Sequence, residues 1–175
     1  MLQIKKITPK PEQVYKLQAI SRQTFKDTFG AQNTDANMKN YLHQAYNFKT
    51  LLQELKNPNS FFYFAKKQNQ IVGYLKININ QAQTENQGRQ ALEVERIYVK
   101  VGFKKKGIGS KLFQKALQIA SLKRKNKIWL GVWEHNEPAF KFYKKLGFKQ
   151  VGDHVFTLGK DRQRDLILEK NLHQK

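Results

Sequence analysis

Several residue types are absent or scarce in this chain of 175 residues. It has no cysteine, which excludes disulfides, thiolate zinc sites and cysteine nucleophiles. The four histidines are scattered, with no pair at the spacing of metal ligands, so no metal cofactor is expected. The longest apolar run, residues 61–65, is far shorter than the roughly 20 residues of a membrane span. The start, MLQIKKITPKP, lacks the apolar core of a signal peptide. These absences favour a soluble, cytoplasmic protein.

Acidic residues are also scarce: 33 lysines and arginines stand against 13 aspartates and glutamates, and the net charge is +20. The excess is greatest from Lys104 to Lys149, where 13 basic residues face only Glu134 and Glu137. Such a charge suggests polyanionic ligands, so a nucleic-acid-binding protein is one alternative. However, only six of the 33 basic residues are arginine, and no stacking motif or helix-turn-helix spacing is present. Nucleic acid is therefore not the expected partner, and a lysine-rich solvated surface explains much of the total.

The length and the 39% hydrophobic content fit one domain, residues 1–175, with a continuous core. Periodicity of the apolar residues predicts a single alternating α/β unit. The predicted strands are 2–7, 61–66, 71–80, 92–99, 127–133, 149–158 and 165–172, and the predicted helices are 11–29, 35–46, 48–55, 110–122 and 136–146. This order predicts a mixed sheet with one βαβ crossover at its centre.

A glycine-rich segment, VKVGFKKKGIGSKLF, lies between a predicted strand and a predicted helix at residues 99–113. Glycines at the start of a helix leave backbone N–H groups and the positive end of the helix dipole facing one point, which favours an anion. The spacing differs from that of a Walker loop because Ile108 stands at the lysine position, and the third glycine of the dinucleotide-binding motif is missing. A simple turn with solvated lysines remains the alternative interpretation.

A second motif, NEPAFKFYKKLGF, follows at residues 136–148. Asn136 is expected to cap its helix, and Gly147 to end it. Together, the YV-plus-glycine-loop segment and the NxxAxxFYxxxGF segment resemble the GNAT N-acetyltransferases, which use acetyl-CoA. The segments TFKDTFGAQN, LEVERIYV, IWLGVWEHN and GDHVFTLG are more narrowly similar to bacterial PaiA-type spermidine/spermine N-acetyltransferases. The resemblance extends from about residue 4 to the last strand.

This resemblance implies a central mixed sheet of about six or seven strands flanked by about four or five helices, opened where two strands hold acetyl-CoA. The loop would bind the CoA pyrophosphate through its main chain, and the strand before it would pair with the pantetheine arm. Lys104 departs from the Gln or Arg of the family and lacks a planar fork, whereas Phe142 is expected to be core. The implied cofactor-binding residues are Ile97, Tyr98, Val99, Lys104, Lys105, Lys106, Gly107, Ile108, Gly109, Ser110, Asn136, Ala139 and Tyr143.

The chemistry requires a group that removes a proton from the acceptor amine, whose pKa is near 10.4. The resemblance places Glu95 where polyamine acetyltransferases carry a carboxylate that works through water, and we expect for it a raised pKa or a water relay. Glu93, two residues earlier on the strand, and Glu134 are alternative bases. Tyr143 is placed by the same resemblance to protonate the leaving CoA thiolate. Attack is expected to be direct, within a ternary complex.

The acceptor is expected to be a small amine, most plausibly a polyamine, and its site must then be locally acidic within a basic protein. Candidate substrate-binding residues are Phe25, Asp27, Phe29, Tyr41, Glu93 and Glu134. A protein lysine, a protein N-terminus or an aminoglycoside are the alternative acceptors. Dimerisation is common in the resembled superfamily, so a homodimer is a further hypothesis.

Overall fold

A computed structural model describes residues 1–172 and contains one sheet of seven strands with five α-helices. In chain order the elements are β1 (Leu2–Lys6), α1 (Pro11–Phe29), α2 (Asp35–Ala45), α3 (Phe48–Lys56), β2 (Ser60–Lys67), β3 (Gln70–Ile79), β4 (Ala91–Val99), α4 (Ile108–Leu122), β5 (Lys127–Trp133), α5 (Glu137–Lys145), β6 (Lys149–Leu158) and β7 (Asp161–Asn171). The predicted α/β class and the number of strands and helices are confirmed. One of the four histidines, His173, lies outside the described residues.

Two boundaries differ from the sequence prediction by more than one residue. Helix α4 begins at Ile108 rather than Ser110, because Gly107 adopts a left-handed backbone with φ of +77° and becomes the N-cap. Strand β7 begins at Asp161 rather than Asp165, since the tight turn at Gly159, with φ of +64°, lets the first residues of β7 pair with β6.

The strands lie in the order β1-β2-β3-β4-β5-β7-β6. All neighbours are antiparallel except β4 and β5, which are parallel and are joined by the crossover helix α4. The parallel pair is short: Ala91–Glu93 pairs with Lys127–Trp129, and the pairing then stops. From Val94 to Val99, β4 has no strand on its β5 side, and a wedge opens between the two strands. The predicted opening of the sheet is confirmed.

Separate apolar layers cover the two faces of the sheet. Helix α4 packs one face through side chains such as Leu112, Phe113 and Ala116. Helices α1 and α3 pack the other face through residues such as Leu17 and Leu51. The sheet is thus covered on both faces. The wedge between β4 and β5 lies between these two layers, and a ligand can bind there between the strands.

A β-bulge interrupts β4 inside this wedge. Lys76 of β3 pairs with Arg96 and the next residue, Ile77, pairs with Val94, so Glu95 is the extra residue. A bulge sets two consecutive residues against one partner and redirects their side chains. Arg96 contacts Glu54 of α3 and Glu95 contacts Lys76, so charged groups gather on the face covered by α1 and α3.

Candidate active site

The glycine-rich loop and the start of α4 line a cavity of about 480 Å³, here called the loop cleft. Lys105 and Gly107 both have positive φ, +60° and +77°, which turns the chain sharply into the helix. The first N–H groups of α4 have no helical acceptor and face the loop, as in anion sites at helix N-termini. Lys104 and Lys105 line the same cavity. This geometry suits a phosphate-bearing ligand.

Most of the predicted cofactor residues line the loop cleft, and two do not. The lining includes Ile97, Tyr98, Val99, Lys104, Lys105, Gly107, Gly109, Ser110, Asn136, Ala139 and Tyr143. The Lys106 ammonium instead turns back to the carbonyl of Gly102 at 3.2 Å and lies over the Phe103 ring. The Ile108 side chain is buried in the core beneath α4. These two residues can therefore contribute main-chain groups but no side chain to the cleft.

Sequence reasoning missed four residues of this lining: Thr28, Phe103, Pro138 and Phe142. Phe142 was expected to be a core residue. It is half-buried: its side chain packs on the core and also borders the cleft. Phe142 and Tyr143 are adjacent on a short helix, so their side chains point to different faces of that helix, and this was a signal in the sequence that their surroundings would differ.

The second cavity, here called the acidic cleft, also measures about 480 Å³ and lies in the wedge between β4 and β5. It shares five lining residues with the loop cleft: Ile97, Tyr98, Asn136, Ala139 and Tyr143. The two clefts therefore meet at the open edge of β4 and the first turns of α5. Two ligands, one in each cleft, would come into contact there.

The charge of the acidic cleft is opposite to that of the chain. Four of the 13 acidic residues line it, namely Glu85, Glu93, Glu95 and Asp165. Among residues 1–172, Arg96 is the one lysine or arginine in this lining. In a protein of net charge +20, this segregation makes the cleft attractive to a cation.

Glu95 belongs to a buried network of four charges at the bulge. Lys76 Nζ lies 2.5 Å from Glu95 Oε2 and 3.4 Å from Glu54 Oε2. The Arg96 guanidinium donates two hydrogen bonds to the Glu54 carboxylate at 2.9 and 3.1 Å, and its Nη2 lies 3.4 Å from Glu95 Oε1. Each cation therefore contacts both carboxylates, and the four charges compensate one another.

This network corrects the expectation of a raised pKa at Glu95. Burial opposes ionisation of Glu95, but the neighbouring Arg96 and Lys76 cations outweigh it and hold the pKa of Glu95 below its ordinary value. Glu95 is therefore an anion at neutral pH with little affinity for a proton of its own. Of the two expected alternatives, the water relay is the one still open to it.

Glu93 lies beside Glu95 but in a different environment. Asn78 Nδ2 donates to both carboxylates, at 2.9 Å to Glu93 Oε1 and 2.8 Å to Glu95 Oε2, so both lie on the same face. The backbone N–H of Thr84 donates to Glu93 at 2.8 Å, and its hydroxyl contacts the other carboxylate oxygen. Burial nevertheless raises the pKa of Glu93, with these hydrogen bonds opposing it only in part. The pair thus combines one carboxyl of raised and one of lowered proton affinity.

Tyr143 lies where the two clefts meet. It extends from α5 into the sheet, is 5% exposed, and packs edge to face on Phe142 and Phe148. Burial raises the pKa of the Tyr143 phenol. The hydroxyl is thus a neutral donor at neutral pH and not a phenolate.

The predicted substrate residues divide into two groups. Phe25, Phe29 and Tyr41 line the acidic cleft, and Phe25 stacks on both of the others with ring centroids 4.4 Å apart. Asp27 is exposed on α1 and does not line the cleft. Glu134 is also exposed and pairs with Arg164 at 3.4 Å, outside the lining. The structure therefore does not bring Asp27 and Glu134 together with the other predicted substrate residues, because both side chains lie on the outer surface.

Sequence reasoning missed fourteen residues of the acidic cleft, among them the ionisable group of Glu85, His154 and Asp165. The His154 imidazole lies between the other two, in contact with Glu85 and with Nε2 at 3.3 Å from Asp165 Oδ2. Burial raises the pKa of Asp165, with His154 opposing it in part. No local pattern marks these residues, since they come from a loop and two strands that are far apart in the sequence.

The comparisons with known proteins agree with this geometry. The model of the acetyltransferase (GNAT) family matches residues 20–148, well over half of the chain. The chain belongs to the GNAT acetyltransferase family. An uncharacterized N-acetyltransferase of Lactobacillus delbrueckii subsp. lactis is 44% identical over 154 residues, which cover 88% of this chain and 89% of that protein. The protein is thus a GNAT N-acetyltransferase, as the two motifs predicted.

Two more distant acetyltransferases are informative. The crystal structure of PaiA N-acetyltransferase from Thermoplasma acidophilum, in complex with coenzyme A, superposes with a TM-score of 0.80 at 24% identity and covers 98% of this chain and 99% of that one. An N-alpha-acetyltransferase of Sulfurisphaera tokodaii is 28% identical over 127 residues, 69% of this chain and 76% of that protein. The first comparison supports the fold.

Two features are absent from residues 1–172, a membrane-spanning helix and a metal-binding cluster. None of their helices is both long enough and apolar enough to cross a membrane. They also contain no group of three or more His, Cys, Asp or Glu side chains arranged to hold a metal ion.

Proposed function

We propose that this GNAT enzyme transfers the acetyl group of acetyl-CoA to a primary amine of a polyamine such as spermidine or spermine. In this proposal residues 1–175 act as one acetyltransferase domain, and the amine attacks the thioester directly within a ternary complex. The observation that carries the proposal is the charge of the acidic cleft, which is anionic in a strongly cationic chain and opens onto the loop cleft at Tyr143.

The loop cleft is proposed to bind acetyl-CoA. The CoA pyrophosphate would accept hydrogen bonds from the N–H groups at the start of α4, next to Gly107, where the helix dipole also favours an anion. The pantetheine arm would pair with the free edge of β4 at Ile97–Val99, like an added strand. Asn136 already accepts a hydrogen bond from the Ala139 N–H at 3.3 Å, and this cap fixes the first turn of α5 against the cofactor. Lys104 would add a charge contact that lacks bidentate geometry.

The acidic cleft is proposed to bind the acceptor. A polycation would be repelled by the surface as a whole, and only a locally anionic cavity offsets that repulsion. Aromatic rings at Phe25, Phe29 and Tyr41 supply faces that attract ammonium groups and apolar contacts for the methylene chain.

The acceptor must lose a proton before it attacks. Since an amine of pKa near 10.4 is protonated at pH 7, exposing its lone pair costs about 4.6 kcal/mol. We assign this proton to the Glu93–Glu95 pair, reached through water: anionic Glu95 attracts the ammonium, and Glu93 has the higher proton affinity of the two. Glu134, outside the cleft, is not part of this proposal.

Collapse of the tetrahedral intermediate breaks the C–S bond and releases CoA as a thiolate. Tyr143 is proposed to donate a hydrogen bond to the sulfur as this charge develops. Because the pKa of the buried phenol lies well above that of a thiol near 8.5, Tyr143 acts chiefly by this strengthening hydrogen bond. The final proton reaches the thiolate from solvent or from the acceptor.

The test is thiol release from acetyl-CoA with spermidine, spermine, putrescine, a lysine peptide, an N-terminal peptide, an aminoglycoside or no acceptor. We expect stimulation by spermidine and spermine, and a fall in kcat of about 100-fold in Tyr143→Phe with little change in affinity for acetyl-CoA. Tyr15→Phe, at an exposed tyrosine on α1, is the matched control. Stimulation by a peptide or the aminoglycoside, with none by polyamines, would overturn the polyamine assignment and keep the acetyltransferase.

A further inference from the structure

Three consecutive loop residues, Gln83 to Glu85, hold one end of the acidic cleft; they are here called the strap. Each contacts a different strand of the cleft. Gln83 Oε1 accepts a hydrogen bond from Trp129 Nε1 of β5 at 2.8 Å. Thr84 holds Glu93 of β4. Glu85 contacts His154 of β6. The strap therefore joins three strands across the cleft, and a change at one anchor is transmitted to the others through the same short segment.

The third anchor, at Glu85, resembles a cation site in which a side chain of the protein, His154, takes the place of a bound cation. The His154 imidazole lies between the carboxylates of Glu85 and Asp165. One imidazole ring offers at most one N–H group to each of these two carboxylates. A group with a full positive charge and three N–H donors, such as an alkylammonium, satisfies them better than one ring.

The surroundings of this cluster hold the Asp165 carboxylate in place and supply a hydrogen-bond donor without a partner. Gly131 has no side chain, and the Asp165 carboxylate occupies that space, with Oδ2 3.2 Å from where a Cβ would lie. Trp133, directly across the β5–β7 pair from Asp165, lines the cleft and is 7% exposed. Its indole N–H has no hydrogen-bond partner in the part of the chain that the structure describes. This buried donor is a candidate hydrogen-bond contact for a molecule bound in the cleft.

We propose that Glu85 and Asp165 form a distal cation subsite, which binds the second ammonium group of a diamine or polyamine acceptor and displaces His154 from between them. The inference rests on the proposed function, because it concerns the far end of the same acceptor. Through this subsite the strap would select acceptors by length. An acceptor long enough to reach from Tyr143 to Glu85 gains a charge contact that a monoamine lacks. No bond is made or broken in this step.

The experiment compares kcat/KM for a series of linear α,ω-diamines of four to ten carbons with that for the n-alkylamines of equal length. For the wild-type chain we expect the diamine-to-monoamine ratio to rise with length to a maximum. Glu85→Gln and Asp165→Asn should each lower that maximal ratio about tenfold, the effect of one charge-assisted contact. Glu137→Gln, at an exposed carboxylate of α5 paired with Lys141, is the matched control and should leave the ratio unchanged.

A second measurement reads the displacement itself. The imidazole resonances of His154, assigned by their loss in His154→Gln, should shift on addition of the preferred diamine in the absence of acetyl-CoA and remain in place with the monoamine. If amines are acetylated but both the ratio in Glu85→Gln and the His154 signals stay unchanged, the distal subsite is wrong while the proposed function stands. If no amine is acetylated, the proposed function fails, and the His154 signals alone decide whether the diamine binds here.

Discussion

The loop cleft and the acidic cleft have similar volumes and share Tyr143, yet they are built in different ways. The loop cleft takes most of its lining from one stretch of chain, residues 97–110, and the groups proposed to bind its ligand are main-chain N–H groups and the edge of β4. The acidic cleft takes side chains from three helices, four strands and the loops between them, and its character depends on compensated charges. A cleft that binds through main-chain groups should tolerate side-chain substitutions. A cleft lined by paired charged side chains depends on each of these side chains for stability as well as for function.

The largest effect is expected from breaking the charge network that supports the acidic cleft. Lys76→Met leaves Glu95 and Glu54 with Arg96 as their one close cation, and the free energy of unfolding should fall by about 3 kcal/mol. Urea denaturation followed by circular dichroism measures this loss. Lys39→Met, at an exposed lysine of α2, should change the stability by less than about 0.5 kcal/mol. Equal effects of the two substitutions would contradict a structural role for the network.

A smaller effect, of opposite sign at the two carboxylates, should appear in the pH dependence of stability. Because the folded-state pKa of Glu95 is lowered, its contribution is present above its unfolded pKa of about 4.3 and is lost as pH falls through the lower folded value. Glu95→Gln should therefore lose about 2 kcal/mol at pH 7, and the loss should shrink towards pH 4.

The folded-state pKa of Glu93 is raised, so its contribution is present below the unfolded pKa and is lost as pH rises through the folded value. Glu93→Gln should then be as stable as the wild-type chain, or more stable, at pH 7, with any advantage lost in acid. Urea denaturation at pH 7 and pH 4 gives both curves. Parallel behaviour of the two variants would show that the carboxylates share one environment.

The smallest effects are expected in the loop cleft, and there the backbone should matter more than the side chains. Gly107→Ala places a Cβ on a residue with φ of +77°, a conformation that costs other residues about 1 kcal/mol or more, so affinity for acetyl-CoA should fall five- to tenfold. Lys104→Ala should lower it only about twofold, and less at high salt.

Isothermal titration measures both affinities. Gly102→Ala serves as the control, because a Cβ there meets nothing within 4 Å. A larger loss in Lys104→Ala than in Gly107→Ala would reverse the comparison and make the loop cleft a side-chain site.

The same contrast explains what could be predicted from the sequence. Helix α1 and strands β5 and β6 fall where periodicity places them, because apolar spacing and breakers such as Gly147 are local signals. The loop cleft was predictable for the same reason, as its glycines, helix start and cap are contiguous. Glu85, His154 and Asp165 were not, since the β6–β7 register sets His154 opposite Asp165 and a loop distant in sequence brings Glu85 to His154. The bulge at Glu95 and the cations around it were equally invisible, and with them the sign of its pKa shift.

The free edge of β4, from Val94 to Val99, links the stability of the folded chain to the concentration of ligand. An unpaired strand edge inside a fold leaves main-chain donors and acceptors to water, so the ligand that pairs with it completes the sheet. Any such ligand stabilises the folded chain by mass action, by about 2.7 kcal/mol at a concentration of 100 times its Kd. If acetyl-CoA pairs with this edge as proposed, the melting temperature should rise with the concentration of free acetyl-CoA, and the chain should unfold most readily when acetyl-CoA is depleted.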